Sequence, residues 1–297
     1  MDILSMEFKL EIGPDLTGRS VKKIMYEHFK MSTRLINKVK WGCIFVNDTS
    51  VTVNKTVNNG DILKIILPPE ESENIVPTAM TLSIIYEDEY LLVIDKPPYI
   101  PVHPSQGNYY DTLANGVVHY WQQKGQQHVY RPVNRLDKDT SGLIIIAKNQ
   151  YAHQQLSQQI IDKRLQRKYL AVVHGIIPND SGFIEQPIAR KEGSTIERVV
   201  SEEGQYAATN YTVISRINDF TLVELILKTG RTHQIRVHMS HLGCPLVGDW
   251  LYGKRENNLI ARQALHAYCL AFLHPISGEP LEFKSEMPED IKKLIHN

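Results

Sequence analysis

Asn134-Arg135-Leu136-Asp137-Lys138-Asp139-Thr140-Ser141-Gly142-Leu143-Ile144-Ile145-Ile146-Ala147 is the stretch on which the reading of this chain turns. Its second half, from Leu143 to Ala147, is continuous, apolar and β-branched, so it reads as a buried strand. It is far shorter than the ~20 apolar residues a membrane span requires. The first half is a polar turn that carries Arg135 and Asp137 to the rim of whatever core the strand enters. A carboxylate in such a turn can act as a turn former through bonds to its own backbone. It can equally be presented for chemistry.

Further strands are expected on both sides of this one. Leu82–Tyr86 and Leu91–Asp95 form a hairpin about Glu87-Asp88-Glu89-Tyr90; Tyr169–Val173, Ala207–Ser215 and Phe220–Lys228 follow. Tyr151–Arg164 reads as a polar-faced helix, and Ile235, Met239 and Leu242 mark one face of a short helix ending at Gly243. Strands dominate with helices inserted, which makes the class α+β, with a large, mixed and mainly antiparallel sheet. Before Pro68 the pattern differs. Ser20–Lys30 and Ser32–Lys40 are helical, and Ile44–Asn47 and Asp61–Leu67 are short strands, the latter preceded by a turn at Asn58-Asn59-Gly60. The expected organisation is a small unit at 1–69, an acidic linker at 70–79 and a large domain at 80–297.

The 297 residues are 42% hydrophobic and 22% charged, which excludes intrinsic disorder. Met1–Glu7 lacks a basic stretch followed by an apolar core, and the three cysteines are widely spaced. Reduced thiols and a cytoplasmic location are therefore expected. Thirty-three basic and thirty-three acidic residues cancel, an average that argues against a nucleic-acid partner. Between Pro14 and Pro69, however, nine basic residues face four acidic ones, so this part carries +5 and the remainder −5. A second basic segment, Lys228–His241, contains no carboxylate. Such asymmetry suggests an anionic partner.

Three familiar patterns fail. Asp137–Gly142 begins like a calcium loop, but the position requiring a bidentate glutamate is Lys148. Gly248–Lys254 resembles a phosphate loop, but Arg255 replaces the hydroxyl residue that would hold magnesium. His233, His238 and His241 have no acidic or thiol partner nearby and stand among cations, so hydrogen-bonding or phosphate-facing roles fit them better than metal ligation.

What remains is an ordered set of motifs. Asp95-Lys96-Pro97-Pro98 with Val102-His103-Pro104 comes first, then Asn134–Leu143, then Lys168-Tyr169-Leu170-Ala171-Val172-Val173-His174-Gly175, then Gly230-Arg231-Thr232-His233-Gln234-Ile235-Arg236-Val237-His238. In this order they resemble the RluA-type pseudouridine synthases over roughly residues 80–275. The N-terminal unit resembles the small RNA-binding domain shared by a ribosomal protein and tyrosyl-type tRNA synthetases. One departure is Asn134, where the family usually has histidine.

The resemblance implies an enzyme that breaks the N-glycosidic bond of a uridine, turns the uracil and rejoins it through carbon, without cofactor or metal. It implies Asp137 as the essential carboxylate, either sugar nucleophile or base, Arg236 as the partner that keeps it ionised, and Tyr169 as the stacking and proton-handling ring. The uridine must leave its stack, and Arg135 would fill the space. Arg231, Lys22, Lys23, Arg34, Lys38 and Lys40 are candidate phosphate contacts. The expected partner is structured RNA, ribosomal first and transfer RNA second, acted on by a monomer with no membrane association. Two other readings stay open: a non-catalytic RNA-binding or assembly factor, and a glycoside hydrolase, which would normally need a second carboxylate.

Overall fold

The run around Ile144 lies inside a ten-stranded sheet of a computed structural model, which describes residues 6–68, 70, 75–253 and 259–296. Residues 71–74 of the expected linker, and Lys254 and Arg255, fall outside these. Along the chain come β1 (Glu7–Glu11), α1 (Val21–Glu27), α2 (Thr33–Val39), β2 (Ile44–Val46), β3 (Thr49–Ser50) and β4 (Ile62–Ile66). Next are β5 (Ser83–Glu87), β6 (Leu91–Lys96), α3 (Leu113–Gln123), β7 (Arg131–Pro132), β8 (Ser141–Ala147), α4 (Gln150–Ile161) and β9 (Gln166–His174). β10 (Ser181–Glu185), β11 (Ile188–Arg190), β12 (Arg198–Val200), β13 (Ala208–Ile217) and β14 (Phe220–Leu227) follow. The chain closes with α5 (Gln234–His241), β15 (Leu265–Leu273), β16 (Pro280–Lys284) and α6 (Glu289–His296). None of the helices among the described residues is long and apolar enough to cross a membrane.

The large sheet runs β10-β13-β14-β9-β15-β8-β6-β5, with β16 beside β15 and β7 beside β8. Every pairing is antiparallel except β8 with β15. Because side chains alternate along a strand, β8 feeds two cores. Ile144 and Ile146 join Tyr169, Val223, Leu225 and the inner faces of α3 and α5. Leu143, Ile145 and Ala147 join Leu270, Phe272 and α4. Burying each isoleucine stabilises the fold by roughly 1.5–3 kcal/mol. Gly142, at the mouth of β8, has φ +112°, and a Cβ there would lie 2.3 Å from the Ala267 carbonyl oxygen. Only glycine lets the two parallel strands approach.

The first part of the chain forms its own four-stranded sheet, β1-β4-β2-β3, covered by α1 and α2. Ser20 and Ser32 cap these helices, each accepting a backbone N–H at 3.3 Å. α4 carries the contact with the large sheet. The Tyr151 ring packs edge-on to Phe8 at 4.7 Å and its hydroxyl donates to the Phe29 carbonyl at 2.9 Å. Gln154 donates to the Lys30 carbonyl and accepts from the Ser32 amide, at 2.6 and 2.8 Å.

α4 is shorter than the sequence pattern predicts, ending at Ile161 instead of Arg164. Lys163 takes a left-handed φ of +59°, and the amides of Arg164 and Leu165 both return to the Gln159 carbonyl. That is a tight helix stop formed without glycine. The pattern also gives no expectation for α3, β15 or α6, although β15 lies in the middle of the sheet.

Gly142→Ala should lower unfolding stability by about 3 kcal/mol or more in chemical denaturation, because strain and a backbone clash act together. A loss below ~1 kcal/mol would show that the β8–β15 crossing tolerates a side chain.

Candidate active site

The turn that carries Asp137 is pinned by groups from three parts of the chain. Asn134, only 3% exposed, accepts from the Ile145 amide at 2.9 Å and donates to the Leu143 carbonyl at 3.3 Å, so its amide substitutes for a strand neighbour of β8. Lys96, fully buried, donates to the carbonyls of Pro97, Ile100 and Lys138 at 2.8–3.0 Å, one for each ammonium hydrogen. Burial pushes this ammonium down, to about 7, against the pull of Asp139 and Asp137. Arg262, also buried, donates to the Asp139 carbonyl at 3.2 Å and grips Asp290 of α6 with Nε and Nη2. The turn itself closes with the Thr140 amide on the Asp137 carbonyl, and Gln263 reaches the Thr140 hydroxyl.

Asp137 is thereby held with its side chain 27% exposed, facing α5. Arg236, on the first turn of α5, donates from Nη1 to Asp137 Oδ2 at 3.1 Å. Its other nitrogens are committed elsewhere. Nε and Nη2 donate to the two oxygens of Asp249 at 2.7 and 2.8 Å, and the Tyr252 ring lies 5.0 Å from the guanidinium carbon. Asp249 is itself buried and also accepts the amides of Leu251 and Tyr252. Burial works against the Arg236 charge, but Asp249 and Asp137 more than offset it, so its pKa is raised. The Arg236–Asp249 pair is thus neutral overall and meets Asp137 with one directed N–H. Asp137 keeps an accessible face.

His233 completes the rim. Its Nε2 lies 4.0 Å from Asp137 Oδ2, and its Nδ1 is 2.9 Å from the Tyr252 hydroxyl. That hydroxyl accepts the Arg198 amide of β12 at 2.8 Å, so its own proton is available to His233 Nδ1. Burial lowers the His233 pKa and Arg236 adds to that, while Asp137's opposing pull offsets it only in part, which favours the neutral ring. The residue sits at φ +58°, an uncommon backbone state for histidine that the turn before α5 imposes.

Tyr169, from β9, is buried on the same sheet face, and burial raises its pKa, with Asp137 contributing. It offers a protonated hydroxyl and a ring wall. Arg135 is exposed beside the turn. Arg231 is exposed too, but its guanidinium donates to the Tyr206 carbonyl and to Gln205 at 2.9 Å each. Lys22, Lys23 and Arg34 are exposed on α1 and α2, and Lys40 lies 5.6 Å from the Trp41 ring. Lys38 is engaged with Glu70 at 2.5 Å and with Gln150 at 3.1 Å. The structure thus brings Asp137, Tyr169 and Arg236 together and leaves the α1–α2 cations on a separate surface.

Asp249, Tyr252, His233, Lys96 and Arg262 are contributions that the sequence reading does not assign. The rejected glycine-bounded segment holds two of them. A lone aspartate directly after the apolar Leu246-Val247-Gly248 was the available signal. His238 is structural: it bonds the Thr209 hydroxyl and the Gln186 carbonyl. Among the described residues there is no group of three or more histidine, cysteine or acidic side chains that could hold a metal.

Asp249→Asn should cost about 3–5 kcal/mol of stability, since it leaves the buried Arg236 charge half-paired. Asn134→Leu should cost about 2–6 kcal/mol, about 1–3 for each of the two β8 backbone groups left unpaired. Denaturant titration of the two variants checks both losses.

Three comparisons bear on this site. A family model described as RNA pseudouridylate synthase matches residues 90–241, which include the Asp137 turn, Tyr169 and Arg236. The uncharacterized RNA pseudouridine synthase YlyB of Bacillus subtilis is 44% identical over 268 residues, covering 89% of this chain and 88% of its own. The ribosomal large subunit pseudouridine synthase D of Neisseria meningitidis serogroup B is 39% identical, covering 98% of this chain and 81% of its own. Human RNA pseudouridylate synthase domain containing 1 superposes with a TM-score of 0.58 at 26% identity, over 73% of this chain and 86% of that one. With its sheet, its aspartate turn and these likenesses in agreement, the chain belongs to the RNA pseudouridine synthase family and is an isomerase acting on RNA.

Proposed function

We propose that this enzyme converts specific uridines of large-subunit ribosomal RNA to pseudouridine, with Asp137 as the carboxylate at the sugar carbon. The observation that carries the assignment is the 3.1 Å bond from Arg236 to Asp137, made by an arginine whose remaining fork is locked on Asp249. A carboxylate so held is oriented and still open on one side. The ribosomal choice draws on relatives whose names specify the large ribosomal subunit, with transfer RNA the second substrate class.

The chemistry needs three things. The N1–C1′ bond must break, the uracil must turn within the site, and C5 must bond C1′ while losing its proton and N1 gains one. Asp137 supplies negative charge at C1′ or removes a ribose proton. Tyr169 bounds the space in which the uracil turns, and its protonated hydroxyl is the candidate for the proton step. The reaction centre must be flipped out of its stack, at a few kcal/mol. Arg135, exposed two residues before Asp137, is our candidate to fill the gap. Lys22, Lys23, Arg34 and Lys40 of the N-terminal unit supply RNA backbone contacts that offset the flipping cost. We assign Lys38 a smaller share, because Glu70 already pairs with it. The enzyme acts in the cytoplasm as a monomer.

Asp137→Asn is the direct test: pseudouridine mapping of ribosomal RNA should show complete loss at the target sites, while RNA affinity changes less than about threefold. Undiminished pseudouridine in cells whose only copy is this variant would refute the role of Asp137. Loss at transfer RNA sites alone would move the substrate to the second class.

A further inference from the structure

Three arginines are buried among the described residues: Arg167, Arg236 and Arg262. Arg236 grips Asp249 and Arg262 grips Asp290, each through two nitrogens. Arg167 has no such partner. Among the described residues it makes no ion pair and donates only from Nη2 to the Thr229 carbonyl at 3.3 Å, with Nε unpaired, although it is just 6% exposed. Burying an unpaired guanidinium costs several kcal/mol. The first two sites show how this fold normally meets that cost.

Arg167 lines a cavity of about 100 Å³ at the end of the sheet where β9 begins and β14 finishes. That is room for roughly three waters by liquid volume, or for one tetrahedral oxyanion. Lys163 and Lys228 also line it, both exposed and without an ion pair, and none of the lining residues is acidic. Lys163 is the residue whose left-handed backbone ends α4, so the helix stop turns its chain toward this cavity wall. Gly230 forms the ceiling over the arginine: a Cβ there would lie 2.9 Å from Arg167 Nη1. The same glycine opens the segment that leads to His233 and Arg236. On β9, Arg167 shares a face with Tyr169, two residues along. Arg167 thus ties the cavity to the strand that carries Tyr169 and, through Gly230, to the turn that leads to His233 and Arg236.

We propose that this cavity is a phosphate-binding site, and that the phosphate it takes is a backbone phosphate of the RNA near the flipped uridine. The second half rests on the substrate reading above; the first does not. Five N–H donors in a fixed fork suit a phosphate, and the two lysines add charge at the mouth.

The test uses the full chain and, first, inorganic phosphate alone. Thermal unfolding is followed with increasing phosphate and, in parallel, with chloride at matched ionic strength. Phosphate should raise the midpoint more than chloride does. Arg167→Met should abolish the difference, Arg167→Lys should keep part of it, and the exposed pair Lys163→Ala/Lys228→Ala should weaken it. Without phosphate, Arg167→Met should unfold no earlier than wild type, because an unpaired buried charge has been removed. Equal responses of wild type to phosphate and chloride, or a full phosphate response in Arg167→Met, would overturn the site. The second arm measures binding to a large-subunit ribosomal RNA transcript against salt. Arg167→Met should lower the slope of log affinity on log salt by about 0.7–0.9. An unchanged slope alongside a lost phosphate response would keep the phosphate chemistry and overturn the backbone source. Neither arm reads pseudouridine, so failure of the Asp137 assignment is seen separately.

Discussion

The structure depends most on one guanidinium that serves two carboxylates. Arg236 is fixed by Asp249 through two short bonds, and only then does it reach Asp137. The order matters. A lone arginine beside Asp137 would neutralise it and could swing away with it. With Asp249 absorbing the charge and the planar fork setting direction, the remaining N–H acts as a fixed pointer for the Asp137 carboxylate. Much of the surrounding architecture serves this geometry. α5 presents Arg236, the turn after Leu246 presents Asp249, and the β11–β12 hairpin presses on Tyr252, whose ring covers the pair.

The opposite side of the site is built for equal rigidity. Asp137 lies on irregular backbone, yet three buried polar side chains bind that backbone directly: Asn134 to β8, Lys96 from β6 and Arg262 from the segment before β15. Asn134 is instructive because the usual family histidine is missing there. Its amide satisfies one donor and one acceptor of β8 at once, a job for which asparagine is well suited. The missing histidine therefore gives no ground for a non-catalytic role.

How much of this could be read from the sequence follows from the range of each interaction. Asp137, Tyr169 and Arg236 could be singled out as candidates because each sits in a compact local motif. The buried strand β8 and the hairpin of β5 and β6 were legible because their apolar patterns are local as well. Asp249 was not, because its meaning comes from pairing with Arg236 across a loop, inside a segment that looked like a failed phosphate site. β15 was missed for a similar reason: its parallel neighbour β8 lies more than a hundred residues earlier, and its His266 and Tyr268 interrupt the apolar signal. Net charge misled in the same way. Zero is the sum of a basic N-terminal unit and an acidic remainder, and electrostatic attraction for RNA follows the local distribution.

The account makes the two-carboxylate grip of Arg236 its centre. The most direct measurement is the single-turnover rate of pseudouridine formation by Arg236→Lys on saturating large-subunit ribosomal RNA, with RNA affinity measured alongside. Lysine keeps the charge but cannot hold Asp249 with two nitrogens while donating to Asp137. The rate should fall about a hundredfold or more at nearly unchanged affinity, the size expected when a reacting group is misplaced by ~1 Å. A rate within a few fold of wild type would mean that charge alone suffices and would contradict the account.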